Sequence, residues 1–517
     1  MVVFEWVLGI LLGAVLLSVL AKRIGAPYPA LLALGGAVVA LVPGAPHIVL
    51  EPELVLALFL APVLLDAAYD TSPRDLKDNW LPVTCLVLIA VGLTTAAVAA
   101  VAHALTGMPW AAAIALGAIV APPDAAAATA VLRQVRLPHR ILTILEGESL
   151  LNDASALLIY RAAVAAAAAG TFTFTDAAPT LALSIIGSII AGPLLALGFL
   201  KVMAWIRHSG DTPMAIILQF VGTFGVWLLA DRIGLSGILT IVTYAITIAR
   251  QAPASTPAQL RIPSYAVWET AVFVLNVLAF VLIGLQIGPI VESLDPAQRM
   301  TYIAVAAAVL LTVIVVRVAW VMSYNTVVRW RIRRVGFHPP RPMIPPTLKG
   351  GIIISWCGMR GIVTLATALA LPNGETGPAF PYRDLIVFTA FAVVFGTLII
   401  QGLTLRPLLL KLDVRDDDPV GREVAQARVR AYRSALASLD GDTSPLAKAL
   451  RVELEAVLAA ADGVNGEGEG PRQDRLRLRA ANAARSAILA MRASGEIGDD
   501  AFHRVEEEID RIEISAG

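Results

Sequence analysis

The sequence predicts an all-α polytopic membrane protein carrying a cytoplasmic helical tail, and three observations predict it. Of the 517 residues, 57% are hydrophobic and only 15% are charged. The mean hydropathy of +0.74 lies far above that of a soluble globular chain. Apolar runs long enough to cross a ~30 Å hydrocarbon core, at about 20 residues each, recur almost without pause up to Leu410. From Asp416 the character changes, since half of the 40 acidic residues fall in residues 416–517. The formal net charge of +0 leaves no basic surplus for nucleic acid, and no such partner is expected.

Thirteen apolar runs can be read: 2–20, 27–42, 52–69, 80–105, 110–133, 139–168, 177–207, 212–231, 234–250, 264–288, 299–329, 347–371 and 382–411. The first lacks the basic leading region of a cleavable signal, because Glu5 lies within it and Lys22 and Arg23 follow it, so it counts as a span. If the loops alternate between sides, seventeen Lys and Arg fall on one, from Lys22 and Arg23 through Arg133, Arg136 and Arg140 to Arg341 and Lys349. The other side holds Arg232, Arg299 and Arg383. The positive-inside rule makes the arginine-rich side cytoplasmic. An odd number of spans then leaves the N-terminus outside and the tail inside.

Residues 1–415 therefore form the transmembrane domain and 416–517 the tail. Within the tail, SPLAKALRVELEAVLAAA and DRLRLRAANAARSAILAMRA have helical apolar spacing and are separated by the turn-rich GVNGEGEGPRQ. A solvated appendage and a regulatory or dimer-contact role are equally compatible with that pattern. Cys85 and Cys357 lie in different apolar runs and imply neither a disulfide nor a metal pair. His139, His208 and His338 sit at loop edges on the arginine-rich side, where a surface role is the default and a pH-sensing role the alternative.

The stretch GESLLNDASALLIYR, residues 147–161, places Glu148, Ser149, Asn152 and Asp153 in one of the most apolar parts of the chain. Its helix begins near Pro138, so Asp153 lies about 21 Å inside at 1.5 Å per residue. A charge at helix centre costs on the order of 2.5–3.5 kcal/mol, which makes such an acid a functional candidate. At 100° per residue, Ser149 and Asp153 share one face while Glu148 and Asn152 share the adjacent one. One face can bind a ligand while the other is anchored. The anchor candidate is Arg317, alone in TVIVVRVAWV at a depth comparable to that of Glu148, where a guanidinium needs a carboxylate partner.

Two runs break the rules for a membrane helix. Pro122 and Pro123 remove two backbone donors in AIVAPPDAAAATAVL, and Asp124 follows at once; a helix-interior proline costs ~3 kcal/mol or more. In SWCGMRGIVTLATALALP, Gly358 and Gly361 flank Arg360 at mid-span. A packing kink would not require an arginine. Interrupted helices expose backbone groups that only protein or a water-filled cavity can satisfy, and a pair of them points to a transporter's midplane site. Asp124 would offset the positive half-helix N-termini, and Arg360 the negative C-termini.

With these residues in place, the chain resembles the monovalent cation/proton antiporters of the NhaP and eukaryotic sodium/proton exchanger branch. The resemblance rests on PPDAAAATAVLRQVRLPHR followed by EGESLLNDASALLIYR, on LAPVLLDAAYD around Asp66, on SWCGMRGIVTLATALALP, and on WETAVFVLNVLAFVLIGLQIG followed by the VRVAW arginine. It runs from about residue 10 to 415 and leaves the tail uncovered. It implies thirteen spans built as two inverted six-helix repeats with two crossing broken helices, core and dimerisation subdomains, a homodimer in the bilayer, and elevator-like exchange. By position it makes Asp153 the cation- and proton-binding aspartate with Asn152 beside it. Ser149 and Asp124 become further ligands of the monovalent cation, Glu148 and Arg317 a structural ion pair, and Arg360 the arginine of the second break. Asp66 matches an acid for which a helix-end salt bridge competes with a site role. Two departures bear on selectivity: Pro123 stands where many members carry Ser or Thr, and offers only its carbonyl, and Cys357 stands where glycine or alanine is usual.

The expected function is Na+/H+ antiport across the plasma membrane, serving pH and sodium homeostasis, with Na+ (or K+) and H+ as substrates and no cofactor. Burial disfavours the bare carboxylate of Asp153, so cation and proton compete for it. Only the loaded site crosses readily, which makes exchange obligatory and, with one titrating group, electroneutral at one for one. A K+ or mixed Na+/K+ antiporter is the alternative within the class, and a cation channel a remote one outside it. The sequence holds no GxSxG, HExxH or Walker loop, so an enzyme is not expected.

Overall fold

Backbone groups in a bilayer core must be hydrogen-bonded internally, which leaves helices as the spanning element for chains of this pattern. The computed structural model describes residues 2–42, 51–132, 137–169, 174–207, 212–292, 298–336, 345–373, 378–414, 418–461 and 470–494, with single positions between 502 and 511. Arg133, Arg136, His208, His338, Arg341 and residues 462–469 of the tail linker lie outside them. All regular elements among the described residues are helical. The chain divides into two compact units, Met1–Asp416 and Asp417–Gly517.

In the first unit the helices are α1 (Val2–Ile24), α2 (Tyr28–Ala40), α3 (Pro52–Asp70), the short α4 (Pro73–Asp78), α5 (Trp80–Thr106), α6 (Trp110–Val120), α7 (Ala125–Leu132), α8 (His139–Ala169), α9 (Phe174–Arg207), α10 (Thr212–Arg232), α11 (Gly237–Ser255), α12 (Ala258–Leu285, followed by a short helical segment Ile287–Glu292), α13 (Arg299–Val335), α14 (Leu348–Trp356), α15 (Ile362–Leu369) and α16 (Arg383–Leu412). Helix occupies each of the thirteen ranges read from the sequence. By length and composition, eight of the helices among the described residues can cross a membrane.

Boundaries shift by up to six residues: α12 begins six residues before its apolar stretch, and α13 runs six residues past its own, through Arg329, Arg331, Arg333 and Arg334 to Val335. Arginine is a good helix former, and the helix stops only at Gly336, whose φ of 87° is a conformation that favours glycine. Among the described residues, three helices carry a π-type turn: Leu56–Leu60 in α3, Cys85–Ala90 in α5 and Leu398–Gly402 in α16. Such turns often mark functional sites.

Lipid-exposed helices gain little from apolar association, so close packing depends on small residues. A methyl on Gly36 of α2 would overlap the Val281 carbonyl of α12, and one on Gly284 of α12 would overlap that of Ala33. The main core gathers residues from α2, α5, α6, α7, α8, α12, α13, α15 and α16. A second core joins α3 and α8 to α9, α10 and α11 through Leu64, Leu150, Ala154, Trp227, Ile238 and Ile241. Thus α8 is shared between the two.

The second unit contains α17 (Pro419–Ala437), α18 (Pro445–Ala461) and α19 (Gly470–Ala493). Its described core is small, with Ala481, Ile488, Phe502 and Ile509 buried together and Arg485 paired with Asp510.

Candidate ion site

Pro122, Pro123 and Asp124 separate α6 from α7, and residues 357–361 separate α14 from α15. The prolines withhold N–H donors, and Gly361 permits close approach, because a methyl there would overlap the Asp124 carboxylate. The two breaks meet, the Asp124 N–H donating to the Met359 carbonyl at 2.7 Å.

Arg360, 1% exposed, reaches back from the second break to the first. Its Nε donates to the Val120 carbonyl at 3.0 Å, its Nη2 to that of Ala121 at 3.1 Å, and its Nη1 to that of Gly358. These oxygens lie at the C-terminal end of α6 and within the second break, where partial negative charge collects. Its backbone N–H donates to Thr397 Oγ1 at 3.1 Å, beside the π-type turn of α16. Asp124 stands at the start of α7 and against Gly361, which precedes α15, so two half-helix N-termini face one carboxylate.

The adjacent faces of α8 part company here. Glu148 accepts two bonds from Arg317, Nη1 to Oε1 at 2.6 Å and Nη2 to Oε2 at 2.9 Å. Both side chains are buried. Arg317 also donates from Nη2 to the carbonyls of Ile354 at 3.1 Å and Cys357 at 3.2 Å. It therefore caps the C-terminal end of α14 as well as neutralising Glu148, a second job that the sequence reading did not assign. Gly358 makes room for it, since a methyl there would sit 2.6 Å from the arginine Cδ. Asn152, fully buried, donates from Nδ2 to the Pro123 carbonyl at 2.7 Å and so ties α8 to the first break.

On the other face, Ser149 and Asp153 line a cavity of about 940 Å³ together with Pro123, Asp124 and Gly361. Asp153 is 8% exposed, and among the described residues its carboxylate has no hydrogen-bond or ion-pair partner. Two carboxylates facing one cavity repel unless a cation or proton lies between them, which suits Asp153, Asp124 and Ser149 to a monovalent cation. The cavity extends toward the arginine-rich ends of the helices, where Lys22, Asp66, Asp70 and Glu146 line it, and Glu269 of α12 faces it as well. Asp66 thus lines the path. Glu146, Asp70 and Glu269 were not singled out from the sequence; Glu269, an acid eleven residues into the apolar α12, was the legible signal.

Away from that opening, α8 is closed off. Leu150 and Ala154 pack in the second core, and farther along Arg161 Nη2 meets Asp231 Oδ1 of α10 at 3.3 Å, with both side chains half exposed. Ser155 Oγ donates to the Val87 carbonyl at 2.8 Å, satisfying an acceptor in the π-type turn of α5.

The chain is 33% identical to a sodium, potassium, lithium and rubidium/H+ antiporter of Bacillus pumilus over 78% of its own length and 61% of that relative's. It is 32% identical to an uncharacterised Na+/H+ exchanger of Mycobacterium bovis over 96% of its length and 93% of the relative's. A match that long extends into the tail. The structure of the sodium proton antiporter MjNhaP1 from Methanocaldococcus jannaschii superimposes with a TM-score of 0.57 at 19% identity, covering 80% of this chain and 99% of that one, which shows a shared fold. The family model described as sodium/hydrogen exchanger, transmembrane, matches residues 7–411, and this multi-pass membrane chain belongs to that family.

Proposed function

We propose that the chain exchanges Na+ for H+ one for one across the plasma membrane by alternating access, with Asp153 as the exchanging carboxylate. The observation that carries this reading is the contrast in compensation around the breaks. Glu148 is neutralised by Arg317, Arg360 by helix C-terminal carbonyls, and Asp124 stands against two helix N-termini, while Asp153 faces the cavity with no counter-charge among the described residues.

Cations enter from the arginine-rich end, which we assign to the cytoplasm with the N-terminus outside, on the seventeen-to-three bias of Lys and Arg. The acids lining the cavity raise the local cation concentration. Asp153, Asp124, the Ser149 hydroxyl and the lone pair of the Pro123 carbonyl not used by Asn152 can replace lost water. Binding displaces one proton from Asp153. The loaded site has its charge compensated and can move past the apolar residues that pack against α8, whereas the bare carboxylate would carry an unpaired charge through a low-dielectric barrier. Asn152 cannot titrate and Glu148 is held by Arg317, so one proton leaves per cation.

A second reading, K+ or mixed Na+/K+ exchange, is favoured by the four alkali cations in the name of the Bacillus pumilus relative. A homodimer, with residues 1–415 as the transporting domain and the tail as a cytoplasmic regulatory element, completes the proposal. It needs no cofactor and is not an enzyme.

The test is proton movement in proteoliposomes with each cation added separately, comparing the native chain with Asp153→Asn. The native chain should respond to Na+ without dependence on imposed voltage, and the variant should be silent. Native-rate exchange by Asp153→Asn would remove the carrier residue, and a voltage-dependent rate would remove the one-for-one stoichiometry.

A further inference from the structure

The groups assigned to the cation all come from one side of the cavity, Ser149 and Asp153 from α8 and Pro123 and Asp124 from the first break. The opposite wall is α12, where Glu269, Val272, Phe273 and Asn276 recur at the spacing of one helix face and line the same space. Past Asn276 the cavity meets a buried apolar cluster of Val55 and Phe59 from α3, Ala279 from α12 and Ala366 from α15. Phe59 and Ala279 belong to both the lining and the cluster. Asn276 therefore stands where the open path gives way to the closed side. We propose that Asn276 contacts the cation during exchange: its amide oxygen takes the place of the water on the cation's far side as the cavity narrows, and so acts on the crossing step rather than on initial binding.

A polar side chain in the apolar middle of a membrane helix is costly, and it marks a pathway unless the fold itself uses it. Here the fold does not. Asn276 is half-buried, and among the described residues its side chain has no hydrogen-bond partner. Other amides of this unit do have one. Gln219 donates to Ser264 Oγ at 3.2 Å and accepts from Trp268 Nε1 at 2.8 Å, and Asn325 donates to the Thr347 carbonyl at 3.0 Å. Depth agrees as well: Asn276 lies about 18 Å past residue 264, where its apolar stretch begins, against about 21 Å for Asp153 along α8. A cation held at Asp153 keeps water on the side turned to α12. When that water leaves, Val272 and Phe273 have nothing to replace it, whereas a neutral amide oxygen can substitute for hydration as filter carbonyls do. Charge selects the occupant, because six acids line the cavity against one base, Lys22. Protonated Asp153 is neutral and needs no such oxygen, so the effect falls on the cation-loaded half of the cycle. Asn276 does not titrate, and the one-for-one exchange is unaltered.

The inference rests on Asp153 as the exchanging carboxylate. The experiment measures Na+-driven proton movement in proteoliposomes, equilibrium binding of radioactive Na+ and thermal unfolding for the full chain and for Asn276→Leu, Asn276→Ser and Asp153→Asn. Asn276→Leu keeps the volume and removes the oxygen. It should lower the maximal rate roughly tenfold while Na+ binding and the half-saturating Na+ concentration change less than about twofold, the pattern of a contact made only in the crossing state. Its unfolding temperature should not fall, since the amide has no protein partner to lose. Asn276→Ser, which retains a shorter oxygen, should be faster than Asn276→Leu. Native-rate exchange by Asn276→Leu beside a silent Asp153→Asn would overturn this inference alone, and native-rate exchange by Asp153→Asn would overturn the reading beneath it too. Weakened Na+ binding in step with the lost rate would move Asn276 into the resting site and remove it from the crossing step. A lowered unfolding temperature, or a serine variant no faster than the leucine one, would make the amide part of the scaffold.

Discussion

Glu148 and Asp153 are carboxylates on one helix, five residues apart, and both are more than nine-tenths buried. Glu148 is locked by two bonds to a guanidinium that also caps a neighbouring half-helix. Asp153 faces a cavity. Burial alone therefore does not identify the working residue. The difference lies in which groups each face of α8 meets, and it follows from the 100° step that turns adjacent residues to different neighbours.

The largest expected effect comes from unlocking the first of these carboxylates. Glu148→Gln leaves Arg317 buried without its counter-charge, which destabilises by about 3–5 kcal/mol. Replacing both members, Glu148→Gln with Arg317→Met, should recover part of that loss. It should not recover all of it, because the carbonyls of Ile354 and Cys357 then lose a charged donor, at ~1–3 kcal/mol. Thermal unfolding of the three variants measures both steps. Full restoration in the double variant would mean that Arg317 serves Glu148 alone.

A second substitution disturbs Asp153's surroundings rather than Asp153 itself. Gly361→Ala drives a methyl into the Asp124 carboxylate, and overpacking of this kind costs about 1–3 kcal/mol. The strain falls on the meeting point of the breaks, so Na+-driven proton movement should drop roughly tenfold, as ~1.4 kcal/mol would give, while the Glu148–Arg317 pair stays intact. Unchanged transport in that variant would show that the approach of the two breaks does not matter for exchange.

Much of this contrast was legible before the structure. The 100° step separated Glu148 from Asp153, the proline pair and the glycine–arginine cluster marked the breaks, and the isolation of Arg317 called for an acid. What the sequence could not supply were partners fixed by backbone atoms. The bonds from Arg317 to the Ile354 and Cys357 carbonyls, from Arg360 to those of Val120 and Ala121, and from Asn152 to that of Pro123 involve acceptors present in every residue, so no residue type announces them. The π-type turns were hidden for the same reason. The acids lining the cavity are a different case: Glu269 and Glu146 were visible as charges in apolar surroundings, but their convergence with Asp66 depends on three separate helices.

A smaller effect should arise where α8 is charged but half exposed. Arg161 and Asp231 link α8 to α10 away from the arginine-rich end, about 12 Å along the helix from Asp153 at 1.5 Å per residue. If α8 moves relative to α10 during exchange, this pair favours the state in which the cavity opens toward the arginine-rich side. An exposed pair is worth about 0.2–1 kcal/mol. Asp231→Asn should therefore shift the balance toward the outward-open state by a factor of roughly 1.4–5. Labelling of Leu157→Cys by an impermeant thiol reagent added outside would report it as faster modification. Slower or unchanged labelling would count against a latch at this position.

The smallest effect belongs to the first residue of the same helix. His139 Nε2 lies 3.2 Å from Asp75 Oδ2 of α4, and Ser72 caps that helix through the Asp75 N–H. Partial burial works against the Asp75 charge, but the bonds to His139 and Ser72 and the nearby Arg74 outweigh it and hold the carboxyl below its ordinary value of 3.8. A carboxylate with a depressed folded-state value contributes stability above its unfolded value and loses that contribution as pH falls through the folded one. His139→Ala should thus cost up to about 1 kcal/mol near neutral pH and progressively less as acid protonates Asp75 below 3.8. Unfolding temperatures of the two proteins measured down that range should converge. Curves that diverge toward acid would show that the histidine stabilises this end of α8 by packing rather than by holding the carboxylate ionised, and the gradient of compensation along the helix would then end at Glu148.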